Sequence, residues 1–288
     1  HEIIVSSLNF YYLIFFSSGN FIFYREKRKL IGVILILNLF GIWKLTLSWN
    51  YNPKIINGED AKEGEIPYQV VSLQNKFSSF HFCGGSILNE NYVITAAHCV
   101  HGYSKFSEDI KVVAGTINLA NPRYENDVNE IIVHEKYNVS DSWKNDIALL
   151  KDKTSSTLSN SISSVHLPSP NDISKPNDLT TVSGWGRLRV NQGGPTTIYL
   201  QRVNILIANQ EYCELTYKKI NYTVYESQIC AYYPTSEKGS CNGDSGGPLT
   251  VNGKLVGLVS WAMGCALIDY PTVYTRVESY LDWIKENA

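Results

Sequence analysis

The sequence has no C-x-x-C pair, and its six cysteines show none of the spacings that hold zinc or an iron–sulfur cluster. It also has no excess of basic residues. Six of the 25 basic and two of the 27 acidic residues precede Ile55, which leaves 19 basic and 25 acidic residues, a net charge of −6, in the remainder. Such a chain lacks the basic surface that nucleic-acid binding needs. We therefore expect no metal, no cofactor and no nucleic-acid partner.

An even number of cysteines without metal spacing predicts disulfide bonds formed in an oxidising compartment. Two N-glycosylation sequons agree with this, N-V-S at Asn138 and N-Y-T at Asn221, although an unused tripeptide explains each equally well. Counting alone leaves fifteen possible pairings. The cysteines are Cys83, Cys99, Cys213, Cys230, Cys241 and Cys265.

Residues 1–54 differ in composition from the rest. A basic cluster at 25–29 precedes an apolar run at 30–43, which is typical of a secretory signal sequence and short for a membrane-spanning helix. A signal anchor that keeps the protein on a membrane is the competing interpretation. Residues 1–24, which follow no initiator methionine, are expected to be an artefact and are left out of the fold prediction. We predict a signal or pro-segment at 1–54 and a folded, secreted domain at 55–288.

From Ile55 the chain changes to short runs of β-branched and aromatic residues bounded by turn formers, which favours an all-β sandwich or barrel. Only the tail is predicted to be a helix, because Val277, Tyr280, Leu281 and Ile284 fall on one helical face. We expect one folding unit or two similar halves. The predicted strands include 69–73, 92–95, 111–114, 130–133, 200–208 and 254–261.

Three motifs carry the chemistry: TAAHC at 95–99, NDIALL at 145–150 and GDSGGPL at 243–249. Taken singly, His98 could be a core histidine, Asp146 a cap residue and Ser245 a turn serine. Taken together they supply a reaction centre. A serine hydroxyl is a poor nucleophile at neutral pH and needs a base, a role that imidazole fills because its ordinary pKa lies near working pH. A carboxylate then orients and stabilises the imidazolium.

The glycines around Ser245 have a separate purpose. Attack on a carbonyl creates a negative oxygen that fixed donors must meet. The backbone N–H groups of Gly243 and Ser245 can point to one place only if the chain turns tightly with no side chain in the way.

These motifs resemble those of the chymotrypsin-fold (trypsin-like) serine proteases, the family in which this triad chemistry is best known. The resemblance covers 55–288. It implies an all-β fold of two six-stranded antiparallel β-barrels with a C-terminal helix, and a monomeric serine endopeptidase with polypeptide substrates and protein inhibitors. Besides the three motifs, it rests on CGGSIL at 83–88, SGWG at 183–186, SWAMGC at 260–265 and PTVYTRV at 271–277.

The resemblance also implies activation by cleavage. PKIING at 53–58 resembles the family's activation junction, so a trypsin-like protease would cut after Lys54 and the new ammonium of Ile55 would pair with Asp244. His81 matches a position that can hold Asp244 before cleavage, although a plain strand histidine fits equally well. The implied disulfides are Cys83–Cys99, Cys213–Cys230 and Cys241–Cys265.

The specificity pocket departs from the trypsin-like pattern. Gly239 stands six residues before Ser245, where those members have an aspartate that pairs with lysine or arginine. Ala262 and Thr272 fill wall positions that are commonly glycine, so the pocket resembles that of elastase-like members and predicts small or medium aliphatic residues before the scissile bond. An aromatic preference is the next option. Asp269 restores basic specificity only if its loop folds inward.

The walls of the cleft are also assigned through the resemblance. Ser260 is expected to hydrogen-bond Asp146, and the main chain of Ser260, Trp261 and Ala262 to pair with an extended substrate. Trp143 either borders the site for the preceding substrate residue or is packing alone. Two rival functions remain: a non-catalytic homologue that acts as a binding module, and a protease or esterase with one narrow regulatory partner.

Overall fold

The computed structural model describes most of the chain from Ile55 onward and three short strands before it. Contacts divide the chain into residues 1–50 and 51–288. In the first unit, β1 (Val5–Leu8), β2 (Tyr11–Phe15) and β3 (Phe21–Tyr24) form an antiparallel sheet in that order. The predicted signal run at 30–43 and Lys54 lie outside the described residues. Those residues are 5–8, 11–15, 21–24, 55–75, 80–106, 109–155, 158–159, 161–170, 172–188 and 196–288.

The second unit begins with a short strand and a closed barrel. Strand β4 (Glu59–Asp60) precedes six strands joined in the order β10-β7-β6-β5-β8-β9, which we call barrel 1. The six are β5 (Gln69–Asn75), β6 (Phe80–Ile87), β7 (Tyr92–Thr95), β8 (Ile110–Ala114), β9 (Tyr124–Val133) and β10 (Ala148–Asp152).

A second antiparallel barrel, barrel 2, follows in the chain. Its strands are joined in the order β11-β14-β15-β16-β13-β12, and pairing of β11 with β12 closes it, while β4 adds to the outer edge of β12. The six are β11 (Leu179–Gly184), β12 (Gln201–Ile207), β13 (Gln228–Tyr232), β14 (Pro248–Val251), β15 (Lys254–Trp261) and β16 (Thr272–Arg276). The predicted fold of two six-stranded antiparallel barrels is confirmed.

The tail packs where the barrels meet. A 3₁₀ turn (Val277–Tyr280) leads into the C-terminal helix, Leu281–Asn287, as the pattern predicted. Val277, Tyr280 and Ile284 are buried there, among residues of both barrels that include Leu149 and Leu258. Leu149 faces this shared core, whereas the next residue of β10 faces the interior of barrel 1, so β10 is apolar on both sides.

The prediction that only the tail is helical is wrong. Helix α1 (Gln210–Lys218) links β12 to β13, and the C-terminal helix is therefore α2. The Asn209 side chain caps α1 by accepting a hydrogen bond from the Tyr212 N–H, and Cys213 and Tyr217 are buried four residues apart. The sequence signal for this helix was its N-cap residue and a single buried face. The helix is too short for that face to repeat as a periodic pattern.

All three expected disulfides are present. Cys83–Cys99 ties β6 to the turn that follows β7, Cys213–Cys230 fastens α1 to β13, and Cys241–Cys265 joins two loops of barrel 2.

The interior of barrel 2 predicts a contrast between two leucines. Leu249 of β14 is fully buried, whereas Leu179 of β11 is 60% exposed. We expect Leu249→Ala to lower the free energy of unfolding by about 3 kcal/mol, because it leaves a cavity, and Leu179→Ala to change it by less than about 0.5 kcal/mol. Guanidinium denaturation measures both; equal losses would show that the interior of barrel 2 is not the closed core described.

Candidate active site

The turn that carries Ser245, residues 241–247 and here called the serine turn, approaches barrel 1 closely. A side chain at Gly246 would place Cβ 2.2 Å from Thr95 Oγ1 and 2.7 Å from the Gly84 oxygen. The Gly84 N–H donates to the Ser245 carbonyl at 2.7 Å, and Thr95 Oγ1 donates to the Gly84 carbonyl at 2.8 Å. The serine turn therefore rests on the strand end that leads into His98.

His98 and Asp146 form a two-point contact at the open end of barrel 1. The carboxylate accepts a hydrogen bond at 2.8 Å from the His98 backbone N–H through Oδ1, and contacts Nδ1 at 2.8 Å through Oδ2. Ser260 Oγ, from barrel 2, donates to the same Oδ2 at 2.5 Å. Asp146 is 1% exposed and the His98 side chain is 22% exposed. The imidazole ring is therefore accessible to solvent, whereas the carboxylate is shielded from it.

The electrostatics of the pair favour a basic imidazole. Burial of the His98 ring lowers its pKa, but the charge of Asp146 and the hydrogen bond to it outweigh burial, and the net pKa lies above the ordinary histidine value. Because Nδ1 donates to the carboxylate, Nε2 is the ring nitrogen left to accept a proton.

Ser245 is half-buried, and within the described residues its hydroxyl forms no hydrogen bond to His98. The His98 Nε2 instead lies 3.7 Å from Cys99 Sγ. The structure links the serine turn to the strand that precedes His98 through the contacts of Ser245, Gly84 and Thr95.

The backbone N–H groups of the serine turn divide into two sets. Those of Asp244, Gly246 and Gly247 donate to the carbonyls of Cys241, Val259 and Asp244. For Gly243 and Ser245, no acceptor occurs in the part of the chain that is described. The Gly243 carbonyl is turned away, since it accepts from His81 Nε2 at 2.9 Å. The N–H groups of Gly243 and Ser245, two residues apart, are therefore the ones in the serine turn without an acceptor among the described residues.

Asp244 is enclosed by barrel 2. Its carboxylate accepts hydrogen bonds from the N–H groups of Gly186 (2.7 Å) and Cys241 (2.8 Å), and no cation pairs with it among the described residues. A Cβ at Gly184 or Gly186 would fall 2.2–2.5 Å from the carboxylate, so only glycine fits there. Burial raises the pKa of Asp244 to about 7, against the lowering effect of the two N–H donors.

The segment that contains the predicted new terminus lies in the same barrel. Ile55 is fully buried among the side chains of the barrel 2 core. Ile56 forms an antiparallel bridge with Gly239, whose N–H donates to the Ile56 carbonyl at 3.3 Å.

The predicted pocket residues have different surroundings. Gly239 has a φ of +149°, which side chains rarely adopt, and a Cβ there would stand 3.5 Å from the Ala266 methyl. Thr272 is 5% exposed, whereas Ala262 is exposed at the end of β15. Asp269 is exposed.

The trypsin family model matches residues 55–284. The chain belongs to the trypsin family. Trypsin-1 of Astacus astacus is 42% identical over 245 residues, covering 81% of this chain and 100% of that protein. Chymotrypsin-2 of Vespa crabro is 40% identical over 233 residues, with 81% and 99% covered. Trypsin Blo t 3 of Blomia tropicalis is 39% identical over 233 residues, with 80% and 85% covered.

Membership of the trypsin family makes the chain a serine endopeptidase with polypeptide substrates. The enzyme has one group of metal-binding residue types among its described residues, Cys83, His98 and Cys99, and the two sulfurs of that group are bonded to each other. No helix among the described residues has the length and apolar character that a membrane crossing requires.

Four aromatic residues, here called the aromatic wall, pack together in this trypsin-family enzyme. Trp143 stacks on Trp261 (ring centroids 5.6 Å apart) and on Tyr222 (6.4 Å), while Tyr217 meets Trp261 edge-on at 4.7 Å. Sequence reasoning named Trp143 and Trp261 but missed Tyr222 and Tyr217. Tyr217 lies in α1 and Tyr222 just after it, so both depend on a helix that the sequence pattern did not predict and that a disulfide fastens to β13.

Both sequons lie near this wall. Asn138 and Asn221 are exposed, and the residues that follow them meet, because the Thr223 N–H donates to Ser142 Oγ at 3.0 Å. Tyr225 also hydrogen-bonds Asp141 through its hydroxyl. The two sequons, 83 positions apart in the sequence, thus belong to two loops that touch.

The His98–Asp146 contact predicts the behaviour of an Asp146→Asn variant. Without the negative charge, burial acts on the ring unopposed, so the pKa of His98 should fall below its ordinary value. Titration of the ring nitrogens by NMR measures it, with the exposed Asp282→Asn as matched control. An unchanged pKa in Asp146→Asn would show that the pair does not set the charge of the histidine.

Proposed function

We propose that the chain is a secreted endopeptidase, made as a zymogen, in which Ser245 is the nucleophile, His98 the general base and Asp146 the residue that orients His98. The observation that carries this proposal is the contact of the serine turn, with its two open N–H donors, with the strand end that precedes a His98–Asp146 pair whose carboxylate is buried. Retention of all three side chains speaks against a non-catalytic binding module.

The reaction proceeds in two halves. Ser245 Oγ bonds the substrate carbonyl carbon while its proton passes to His98 Nε2, and the N–H groups of Gly243 and Ser245 hold the oxygen that becomes negative. His98 then gives the proton to the amine nitrogen as the peptide bond breaks, which leaves an ester on Ser245. Water attacks that ester, its proton passes through His98 to Ser245 Oγ, and the acid product leaves. Asp146 stays ionised and stabilises the imidazolium throughout.

Activation would follow cleavage of the Lys54–Ile55 bond. A fully buried Asp244 whose pKa is about 7 is costly to ionise, and a partner cation would remove that cost. The ammonium of a new Ile55 terminus is the fitting cation, because Ile55 is already buried in barrel 2 and Ile56 already bridges to Gly239. The serine turn contains Asp244, so pairing would fix the shape of the open-donor site.

The pocket favours small or medium aliphatic residues before the scissile bond. No carboxylate stands at Gly239, and its φ of +149° disfavours any side chain, so a lysine or arginine would enter without a partner. The exposed Asp269 lies in the loop that follows Cys265 and does not change this proposal. An aromatic preference is the second candidate, supported by the 40% identity to a protein named Chymotrypsin-2.

Three further features belong to the proposal. The disulfides fit an oxidising, extracellular location, and both sequon asparagines are exposed as glycosylation requires. We expect a monomer that a trypsin-like protease activates and that protein inhibitors block by filling the cleft.

Hydrolysis itself tests the nucleophile and the pocket. After activation, kcat/KM on a mixed peptide library should be at least about 100-fold higher after Ala or Val than after Lys or Arg, since a desolvated charge has no partner. Ser245→Ala should lose at least about 10⁴-fold in kcat. Ser164→Ala, another half-buried serine, serves as matched control. Dominant cleavage after Lys or Arg would overturn the pocket assignment. Full activity of Ser245→Ala would overturn the assignment of Ser245 as the nucleophile.

The buried acid predicts how stability depends on pH before cleavage. In the fold Asp244 keeps its proton to about pH 7, whereas an unfolded aspartate loses it near pH 4. Unfolding therefore releases a proton between those values, and the free energy of unfolding should fall as pH rises across the window, by an amount on the order of 4 kcal/mol. Cleavage that supplies the Ile55 ammonium should abolish the fall.

Denaturation midpoints at pH 4 to 8 measure this effect, in a Ser245→Ala background that prevents self-digestion. Asp244→Asn is the control that isolates the contribution of this carboxyl, and it should be insensitive to cleavage. A parent chain whose pH dependence is the same before and after cleavage would contradict the pairing.

A further inference from the structure

The turn that leads into Asp146, residues 142–146 and here called the acid turn, has an unusual backbone. Ser142, Trp143 and Asn145 have φ values of +52°, +51° and +58°. Such conformations are disfavoured for residues with a side chain and persist where the surroundings hold them. Asparagine tolerates the left-handed region best, and it is the residue directly before the acid.

Asn145 is held at three points. Its Nδ2 donates to the Lys136 carbonyl at 2.7 Å, and its Oδ1 accepts from the Tyr280 hydroxyl at 3.0 Å. Its own carbonyl accepts from the Ile147 N–H at 2.9 Å, across Asp146. The Tyr280 contact is the long-range one, because it joins the acid turn to the C-terminal segment 135 positions away.

A second group from the C-terminal part of the chain reaches the backbone of the acid itself. Thr275 Oγ1, on β16, donates to the Asp146 carbonyl at 2.6 Å and is buried. The carboxylate of Asp146 has no spare freedom, since one oxygen serves the His98 N–H and the other serves Nδ1 and Ser260 Oγ. A small rotation of the acid turn would disturb all of these contacts together.

We propose that Asn145, Tyr280 and Thr275 are positioning residues. They hold the backbone of the acid turn so that the Asp146 carboxylate stays oriented towards His98. The inference rests on the proposed function, since it assigns these groups to the same reaction. None of the three is placed to touch substrate. They act through Asp146, where a displacement of about 1 Å can cost about 100-fold in rate.

Three side chains packed beside the acid turn have pKa values shifted towards their neutral forms. Burial raises the pKa of the Tyr137 and Tyr280 hydroxyls, and the charge of Asp146 adds to this. Burial lowers the pKa of His134, whose ring stacks on Trp283 and meets Tyr280 edge-on. Of the charged groups nearby, Glu135 and Lys136 are exposed to solvent, and Lys144 of the acid turn places Nζ 4.2 Å from the ring centroid of Tyr225.

The test uses the activated full chain with Tyr280→Phe, Thr275→Val and Asn145→Gly. The first two delete one hydroxyl each at constant shape, and the third removes both side-chain bonds while keeping the left-handed backbone accessible. We expect kcat to fall about tenfold in each, with KM changed less than about twofold. The acidic limb of the pH profile should move to lower pH, because a misdirected Asp146 no longer holds up the pKa of His98.

Tyr280→Phe added to Asn145→Gly should cause no further loss, since Tyr280 acts through Asn145. Two matched controls are Asn177→Gly, another asparagine with positive φ (+70°), and Tyr199→Phe, at a tyrosine that is 50% exposed. They should leave kcat and the pH profile at parent values even where they lower the melting temperature. A purely structural role would make the test variants behave like these controls.

NMR titration of the His98 ring in the same variants decides the proposal without turnover. A parent that hydrolyses nothing would sink the proposed function, whereas the ring titration would still report whether the acid turn aims Asp146. Unchanged His98 titration in both Tyr280→Phe and Asn145→Gly overturns the positioning role. A lowered His98 pKa in both, with controls unchanged, supports it.

Discussion

The second barrel reaches the first where Gly246 of the serine turn packs against Gly84 and Thr95. At Gly246 the serine turn comes so close to Thr95 and Gly84 that a single methyl group would collide with both. The hydrogen bond from the Gly84 N–H to the Ser245 carbonyl then fixes the depth of the approach. Ser245, the proposed nucleophile, and His98, the proposed base, come from different barrels, so a change in this approach would move one relative to the other.

Two buried carboxylates, those of Asp146 and Asp244, differ in their surroundings. The Asp146 carboxylate accepts three hydrogen bonds, one of them from the His98 imidazole, so its negative charge is stabilised in the buried site. Asp244 is surrounded by glycines with only two N–H donors, so its charge is costly until a cation arrives. In the proposed function, Asp146 therefore serves the reaction directly, and Asp244 makes the shape of the serine turn depend on cleavage of the Lys54–Ile55 bond.

The enzyme class could be predicted from the sequence because a serine endopeptidase imposes local demands: glycines next to Ser245, a histidine after an apolar strand and an acid before another. Strands 92–95 and 254–261 have the predicted bounds, since their residues and flanking turns agree. Helix α1 was missed because one cap and a single buried face give little signal. The contact of Tyr280 with Asn145 and the stack on Tyr222 join distant positions, and no local pattern marks them.

The central claim is that one serine among many is made reactive by the meeting of two barrels. Labelling the activated protein with a fluorophosphonate, followed by peptide mass mapping, tests it directly, because the reagent bonds only to an activated hydroxyl oxygen. We predict a single adduct on Ser245, lost in His98→Ala. An adduct on another serine, or undiminished labelling of Ser245 in His98→Ala, would contradict it.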